Sequence, residues 1–162
     1  MAKRFISAVE EATAASIGGV PTCKPLIVAQ TATLQEAVFA LEKTSRGACV
    51  VVDDAGKAVG MFTERDVVRH INAGEDGWLG QSIIEAMSPI TVTLQPSMTI
   101  AAALECMNAG PYRRLPIVDA DGAPHGIVSI WDVMGYIAEH FPQRFFNLPP
   151  RPELETRNLW GG

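Results

Sequence analysis

The apolar and polar positions of this chain fall into two successive blocks that run through the same patterns in the same order. In the first block, the apolar triplet Leu26-Ile27-Val28 precedes Thr33. Leu34, Ala37, Val38 and Leu41 then recur at i, i+3, i+4 and i+7, the stripe of an amphipathic helix. Thr33-Leu34-Gln35-Glu36 has the form of a capping box, with Glu36 placed to reach back to the cap amide. Ala48 to Val52 is a β-branched apolar run that predicts a buried strand. Asp53-Asp54-Ala55-Gly56-Lys57 is turn chemistry, with Gly56 free to take positive φ, and Ala58 to Phe62 returns as the second strand of a hairpin. Thr63 then caps a helix carrying Val67, Val68 and Ile71.

The second block is the first displaced by 66 residues, the separation of Asp53 and Asp119. The same offset carries Thr33 onto Thr99, Ala37 onto Ala103, Gly56 onto Gly122, Gly60 onto Gly126, Asp66 onto Asp132 and Ile71 onto Ile137. No gap is needed from Pro25 to Ile71, and matches on caps, turns and apolar positions are what a repeated fold requires. Thr99 caps a helix with Ile100, Ala103, Leu104 and Met107 on its stripe and Gly110 as its C′ residue. Leu115 to Val118 and His125 to Val128 form the second hairpin. Ser129 caps the last helix, with Val133, Met134 and Ile137 facing inward.

The predicted fold class is α/β, or α+β: two β-α-β-β-α repeats over residues 20–80 and 81–141. An N-terminal helical segment (1–19) and an extended C-terminal tail (142–162) flank them. The linker from Asn72 to Ser88 carries a short helix around Ser82 to Met87. In the tail, Pro149-Pro150-Arg151-Pro152 cannot continue a helix. Phe145, Phe146, Leu148, Leu154, Leu159 and Trp160 give it apolar contacts to offer its own chain or a partner.

Composition narrows the classes of function. With 48% hydrophobic and 19% charged residues the chain is globular rather than disordered. Thirteen basic against eighteen acidic residues leave a net charge of −5, which argues against broad nucleic-acid binding. A small anion held by one or two arginines remains compatible with it. Glu10 and Glu11 interrupt the N-terminal apolar residues before a signal-peptide core forms, and no run reaches the roughly 18–20 apolar residues of a membrane span. The expected setting is cytoplasmic, without a membrane. Cys23, Cys49 and Cys106 form no Cys-x-x-Cys pair and stand apart from the three histidines, so no zinc pattern is present. Cys49 and Cys106 lie in apolar runs and read as small hydrophobes. No nucleophile–base pair, phosphate loop or acid/base constellation is legible, and a catalyst is not expected. Cys23 beside Lys24 is the only thiol in a loop-like setting.

One heptapeptide pattern closes both hairpins: Gly60-Met61-Phe62-Thr63-Glu64-Arg65-Asp66 and Gly126-Ile127-Val128-Ser129-Ile130-Trp131-Asp132. Ser/Thr-x-x-Asp can exist solely to satisfy the free amides of a helix start. The same geometry also suits a ligand. The helix N-terminus attracts phosphate, the cap hydroxyl donates to it, and a carboxylate one turn in accepts from ribose hydroxyls. Arg65 and Arg69 either add positive charge there or lie on a solvated face. Trp131 either stacks on a base or serves packing and dimer contacts. His125 faces solvent or a ligand, and His70 and His140 suit the ends of their helices.

Two copies of this pattern, with Leu115-Pro116-Ile117-Val118-Asp119, resemble the cystathionine-β-synthase (CBS) domain, and the tandem resembles a Bateman module over about residues 20–141. The resemblance implies a pseudo-twofold pair with two clefts for adenosine compounds such as AMP, ADP, ATP or S-adenosylmethionine, with NAD a further possibility. It implies a regulatory sensor that acts on an unidentified protein in trans, and a homodimer. Carried over by position, Gly60, Thr63 and Asp66 serve one cleft and Gly126, Ser129 and Asp132 the other. The aspartates hold ribose hydroxyls; Thr63 and Ser129 contact ribose or phosphate. Arg113 and Arg114 fall where the family often places phosphate-binding residues. The first copy has Gly47 and Ala48 there, so unequal clefts are expected. The competing reading is a structural dimerisation module in which both motifs are caps and no nucleotide binds.

Overall fold

The two hairpins predicted from the alternating runs organise the fold. The computed structural model describes residues 10–44, 47–74, 76–110 and 112–140; the C-terminal tail expected from 142 lies outside them. The first repeat runs β1 (Ile27–Ala29), α1 (Leu34–Thr44), β2 (Ala48–Val52), β3 (Ala58–Thr63) and α2 (Glu64–Ala73). A short α3 (Ile83–Ala86) and β4 (Ser88–Pro89) lead into the second repeat. That repeat continues with α4 (Ile100–Ala109), β5 (Arg114–Val118), β6 (Pro124–Ser129) and α5 (Ile130–His140). The counterpart of β1 in the second repeat is a single parallel bridge, Leu94 to Ile117, equivalent to Val28 opposite Val51.

In the first repeat the strand order is β1-β2-β3-β4, with β2 parallel to β1 and β3 antiparallel to both β2 and β4. The β2–β3 and β5–β6 hairpins share a register irregularity at the same place, Val51/Val52 and Ile117/Val118. Their turns are built alike. Asp53 Oδ1 accepts from the amides of Ala55 and Lys57, both at 2.9 Å, and Asp119 Oδ1 from those of Asp121 (2.9 Å) and Ala123 (2.8 Å). Gly56 and Gly122 take φ of 80° and 88°, the left-handed conformation these turns demand.

Each repeat has its own core. Val28, Leu34, Ala37, Leu41, Cys49, Val51 and Phe62 pack in the first; Ile100, Ala103, Met107, Leu115, Ile117, Val128, Val133 and Ile137 in the second. The two are interlocked. Ile17 belongs to the core of the second repeat and Ile83 to that of the first, both fully buried. Ser16 bridges to Thr99 and Ser82 to Thr33. The Ile17 amide donates to Met98 O at 2.7 Å, and the Ile83 amide to Ala32 O at 3.0 Å. Ser16/Ser82 and Ile17/Ile83 again stand 66 residues apart. The repeat therefore begins upstream of residue 20, and each copy lends its opening turn to the other.

Two local expectations are corrected. Met134 is 48% exposed rather than inward, and its equivalent Val68, with Ile71, also faces outward; the stripe is real, but nothing in the described chain covers it. Gly110 adopts φ −134° and ψ −179°, an extended conformation, so it is not a left-handed C′ cap; its backbone lies against the Tyr112 ring, 2.5 Å from where a Cβ would stand. The helix that does end on a left-handed glycine is α2, at Gly74 with φ 67°.

Candidate functional site

Both Gly-x-x-Thr/Ser-x-x-Asp motifs run from the second strand of a hairpin into a helix start, and each borders a cavity. In the first, the Thr63 amide and hydroxyl donate to Asp66 Oδ2 at 2.9 and 2.7 Å. Asp66 is the one charged side chain buried among the described residues, and its other oxygen, Oδ1, receives Arg69 Nη1 at 3.1 Å. In the second, Ser129 gives the same two bonds to Asp132 Oδ2, both 2.7 Å, and its Oγ accepts from the Asp132 amide at 3.3 Å. The equivalent of Arg69 is Gly135. Among the described residues Asp132 Oδ1 therefore has no hydrogen-bond partner.

The larger cavity has a volume of about 310 Å³. Thr63, Arg65, Asp66 and Arg69 of the first motif and its helix form one side. The other side is Ser88 to Val92 and Tyr112 to Pro116 from the second repeat, with Arg113 and Arg114 among them. Tyr112 Oη and Thr91 Oγ1 are hydrogen-bonded at 2.7 Å across that wall. The smaller cavity, about 190 Å³, is assembled the opposite way: Ile127, Ser129 and Asp132 of the second motif face Cys23, Lys24, Gly47 and Ala48 of the first repeat. Arg114 lines both cavities.

The structure thus brings Thr63, Asp66, Arg65, Arg113 and Arg114 together, and separately Ser129, Asp132 and Arg114. Each cleft is crosswise, one motif facing the strand start of the other repeat. The basic pair of the second copy stands opposite the motif of the first. The clefts are unequal: Arg113 lines only the larger and Ala48 only the smaller, whereas Gly47 and Arg114 line both. Gly60 and Gly126 line neither cavity. Their role is close packing: a Cβ on Gly60 would stand 2.1 Å from Met87 Sδ, and one on Gly126 2.9 Å from Thr22 Oγ1.

Trp131 is 78% exposed and borders neither cavity. His125 Nε2 sits 3.4 Å from Asp119 Oδ2, in the hairpin turn. His70 stacks on Trp78 with ring centroids 5.3 Å apart, and His140 Nδ1 lies 3.0 Å from Tyr136 O. Sequence reasoning missed Lys24, Thr91 and Tyr112. The signal for Lys24 was its place 66 residues before Ile90, which lines the larger cavity. Burial pushes the Cys49 thiol up to about 11, as befits a small core hydrophobe. Among the described residues no group of His, Cys, Asp and Glu is arranged to hold a metal, and no helix is long and apolar enough to cross a membrane.

Comparisons with known proteins agree with this architecture. The profile of the CBS domain matches twice, at residues 17–73 and 82–139. The CBS domain-containing protein YhcV of Bacillus subtilis is 34% identical over 119 residues, 73% of this chain and 82% of that protein. The solved CBS-domain protein ATU1752 of Agrobacterium tumefaciens superposes with a TM-score of 0.62 at 33% identity, covering 69% of this chain and 83% of that one. A CBS-domain protein of Pyrobaculum aerophilum, solved with AMP, gives a TM-score of 0.67 at 21% identity, covering 77% and 99%. The same stretch also matches part of a longer enzyme, the inosine-5'-monophosphate dehydrogenase of Nitrosopumilus maritimus. It is 28% identical there over 116 residues, 72% of this chain but only 23% of the enzyme.

Proposed function

Because this chain belongs to the CBS-domain family and carries the domain twice, we propose that it is a regulatory module whose larger cleft binds an adenosine phosphate. The observation that carries the reading is the meeting of Thr63 and Asp66 with Arg113 and Arg114 around one cavity of about 310 Å³. The arginines offer bidentate donors to phosphate. The α2 N-terminus adds a positive dipole end, and the Asp66 carboxylate is an acceptor for ribose hydroxyls. Oδ1 of that carboxylate is held by Arg69. A ribose would take over Oδ1 and release Arg69 toward the phosphates. The AMP bound to the Pyrobaculum aerophilum relative is consistent with this ligand class.

Ligand binding that bridges the repeats shifts a conformational equilibrium by its differential affinity for the two states, and the output passes to a partner protein in trans. Calorimetry on the nucleotide-free protein with AMP, ADP, ATP, S-adenosylmethionine and NAD tests the reading. Micromolar binding of an adenosine phosphate that is lost in Arg113→Ala supports it. No heat from any of the five overturns it.

A second reading has its own observation. Both carboxylates already serve as caps, and α2 and α5 expose Val68, Ile71, Trp131 and Met134. A homodimer through these helices would bury them, whether or not a nucleotide binds. Sedimentation equilibrium of the ligand-free protein separates the two: a dimer broken by Trp131→Glu, with no nucleotide binding, favours a purely structural module.

A further inference from the structure

Arg114 stands at the boundary of the two clefts and lines both. What seats it there is Gly47, which also lines both. A Cβ on Gly47 would stand 2.6 Å from Arg114 Nη1, 3.0 Å from Nη2 and 2.9 Å from Glu64 Oε2. The absence of a side chain at 47 is the gap through which one guanidinium reaches between the cavities. The position 66 residues before Arg114 is Ala48, on the wall of the smaller cleft. A symmetric pair would carry two such arginines; this one shares a single one.

A guanidinium holds phosphate best as a planar, bidentate fork, and one fork faces one phosphate at a time. An anion in either cleft therefore draws Arg114 away from the other. The loss is uneven. The larger cleft keeps Arg65, Arg69 and Arg113, whereas among the described residues the smaller keeps only Lys24 as a basic side chain. We propose that Arg114 couples the two clefts negatively: an adenosine phosphate in one weakens binding of an adenosine phosphate in the other. Thermodynamic linkage makes the factor the same in both directions. The inference rests on the nucleotide-binding reading above and adds to it an order of filling, larger cleft first. The result is a sensor with two separated response thresholds built from one sequence motif.

The sharing has a signature that two merely unequal sites would lack. In Arg113→Ala, which disables the larger cleft, Arg114 is free for the smaller one. The smaller cleft should then bind AMP more tightly than it does as the second event of the unaltered protein, and adding Arg114→Gln should abolish that gain. No gain means that Arg114 serves the larger cleft alone and overturns the sharing. The second binding event takes place with Arg114 already engaged, so deleting the guanidinium should affect only the first. The test is an amide-resolved NMR titration of the full chain, stripped of nucleotide, with AMP. Signals of Thr63 to Asp66 report the larger cleft and those of Ser129 to Asp132 the smaller. In Arg114→Gln the first event is expected to weaken about tenfold, the loss of one charge-assisted contact, while the second changes less than about twofold. Gly47→Ala, which fills the seat of the guanidinium and keeps the charge, is expected to do the same. Equal weakening of both events, or no change in either, overturns the sharing and leaves the nucleotide reading standing. A single event unaffected by Arg114→Gln also overturns it. Absence of binding by AMP, ADP and ATP in both clefts overturns the nucleotide reading and the sharing with it.

Discussion

Replacing the motif carboxylates one at a time by amides should rank stability and binding in opposite orders. In both motifs Oδ2 accepts from the amide and the hydroxyl of the cap residue, at 2.7–2.9 Å. Asparagine keeps one oxygen able to accept both bonds, so what is lost there is the contribution of charge. Hydrogen bonds to charged groups are worth about 1.5–3 kcal/mol and neutral ones about 0.5–1.5 kcal/mol. A carboxylate at a helix N-terminus adds about 0.3–1 kcal/mol. Asp132→Asn should therefore cost about 1–2 kcal/mol of unfolding free energy. Asp66→Asn loses in addition the Arg69 pair and turns an amide NH2 toward a guanidinium. Because the Arg69 side chain is 63% exposed and that of Asp66 6%, solvent screening holds this extra cost to about 0–1 kcal/mol. Binding should run the other way. At Asp132 a ribose hydroxyl meets an oxygen without a partner among the described residues, and losing that acceptor should cost about 1–3 kcal/mol, roughly ten- to hundredfold in Kd. At Asp66 the ribose has first to displace Arg69, so the net loss should be smaller. Urea unfolding and calorimetry with AMP on both variants check the two rankings. If Asp132→Asn costs at least as much stability as Asp66→Asn and leaves AMP affinity unchanged, the carboxylates are caps and the reasoning fails.

Gly60→Ala should destabilise by about 1–3 kcal/mol through overpacking, since its Cβ falls 2.1 Å from Met87 Sδ; combining it with Met87→Ala should cost less than the sum of the two single changes, measured by denaturation. Ile17→Ala and Ile83→Ala should each cost about 2–5 kcal/mol as cavities in a buried core. Hydrogen exchange should place the damage of Ile17→Ala in α4 and β5 and that of Ile83→Ala in α1 and β2; local damage alone would refute the exchange of opening turns. The amides of Ala123 and Asp121, with His125, hold the Asp119 carboxyl below its usual range. A carboxyl depressed on folding contributes stability that is complete above its unfolded pKa of about 3.9 and disappears as pH falls through the folded value. The stability gap between the protein and Asp119→Asn should thus be present at about pH 5 and close below about pH 4; a gap undiminished at about pH 2 would contradict this. A thiol reagent at pH 8 should modify exposed Cys23 in the native protein but reach Cys49 only on unfolding, because Cys49 is buried and its thiol is raised to about 11.

Much of this architecture is legible because the repeat is written twice. The 66-residue offset places equivalent caps, turns and strands without any knowledge of contacts, and Asp53/Asp119 and Gly56/Gly122 build the same turn in both copies. The offset falls silent upstream of Pro25, where few side chains match between the copies. Only Ser16 and Ile17 carry over, onto Ser82 and Ile83, and their importance lies in backbone bonds to the opposite repeat that no periodicity encodes. The outward face of α2 and α5 was illegible for a different reason. Val68, Ile71 and Met134 obey helical spacing as well as Val133 and Ile137 do, and spacing cannot say whether a stripe meets a core.

The assembly of the clefts shows what a repeat can and cannot reveal. An offset tells which residues are equivalent. A pseudo-twofold pair juxtaposes residues that are not equivalent, so Thr63 and Asp66 meet Arg113 and Arg114 instead of their own counterparts. The difference between the clefts follows from two substitutions relative to the symmetric arrangement. At the pair Arg69/Gly135 the first motif gains a cation that occupies its carboxylate. At the pair Gly47/Arg113 the second repeat gains one that lines the larger cavity alone. The first change makes Asp66 more costly for a ribose to recruit; the second concentrates phosphate-binding charge on the same cleft. The larger cleft is therefore favoured through phosphate and the smaller through ribose. An uncharged adenosine should accordingly prefer the cleft of Ser129 and Asp132, whereas each added phosphate should shift preference toward the cleft of Thr63 and Asp66.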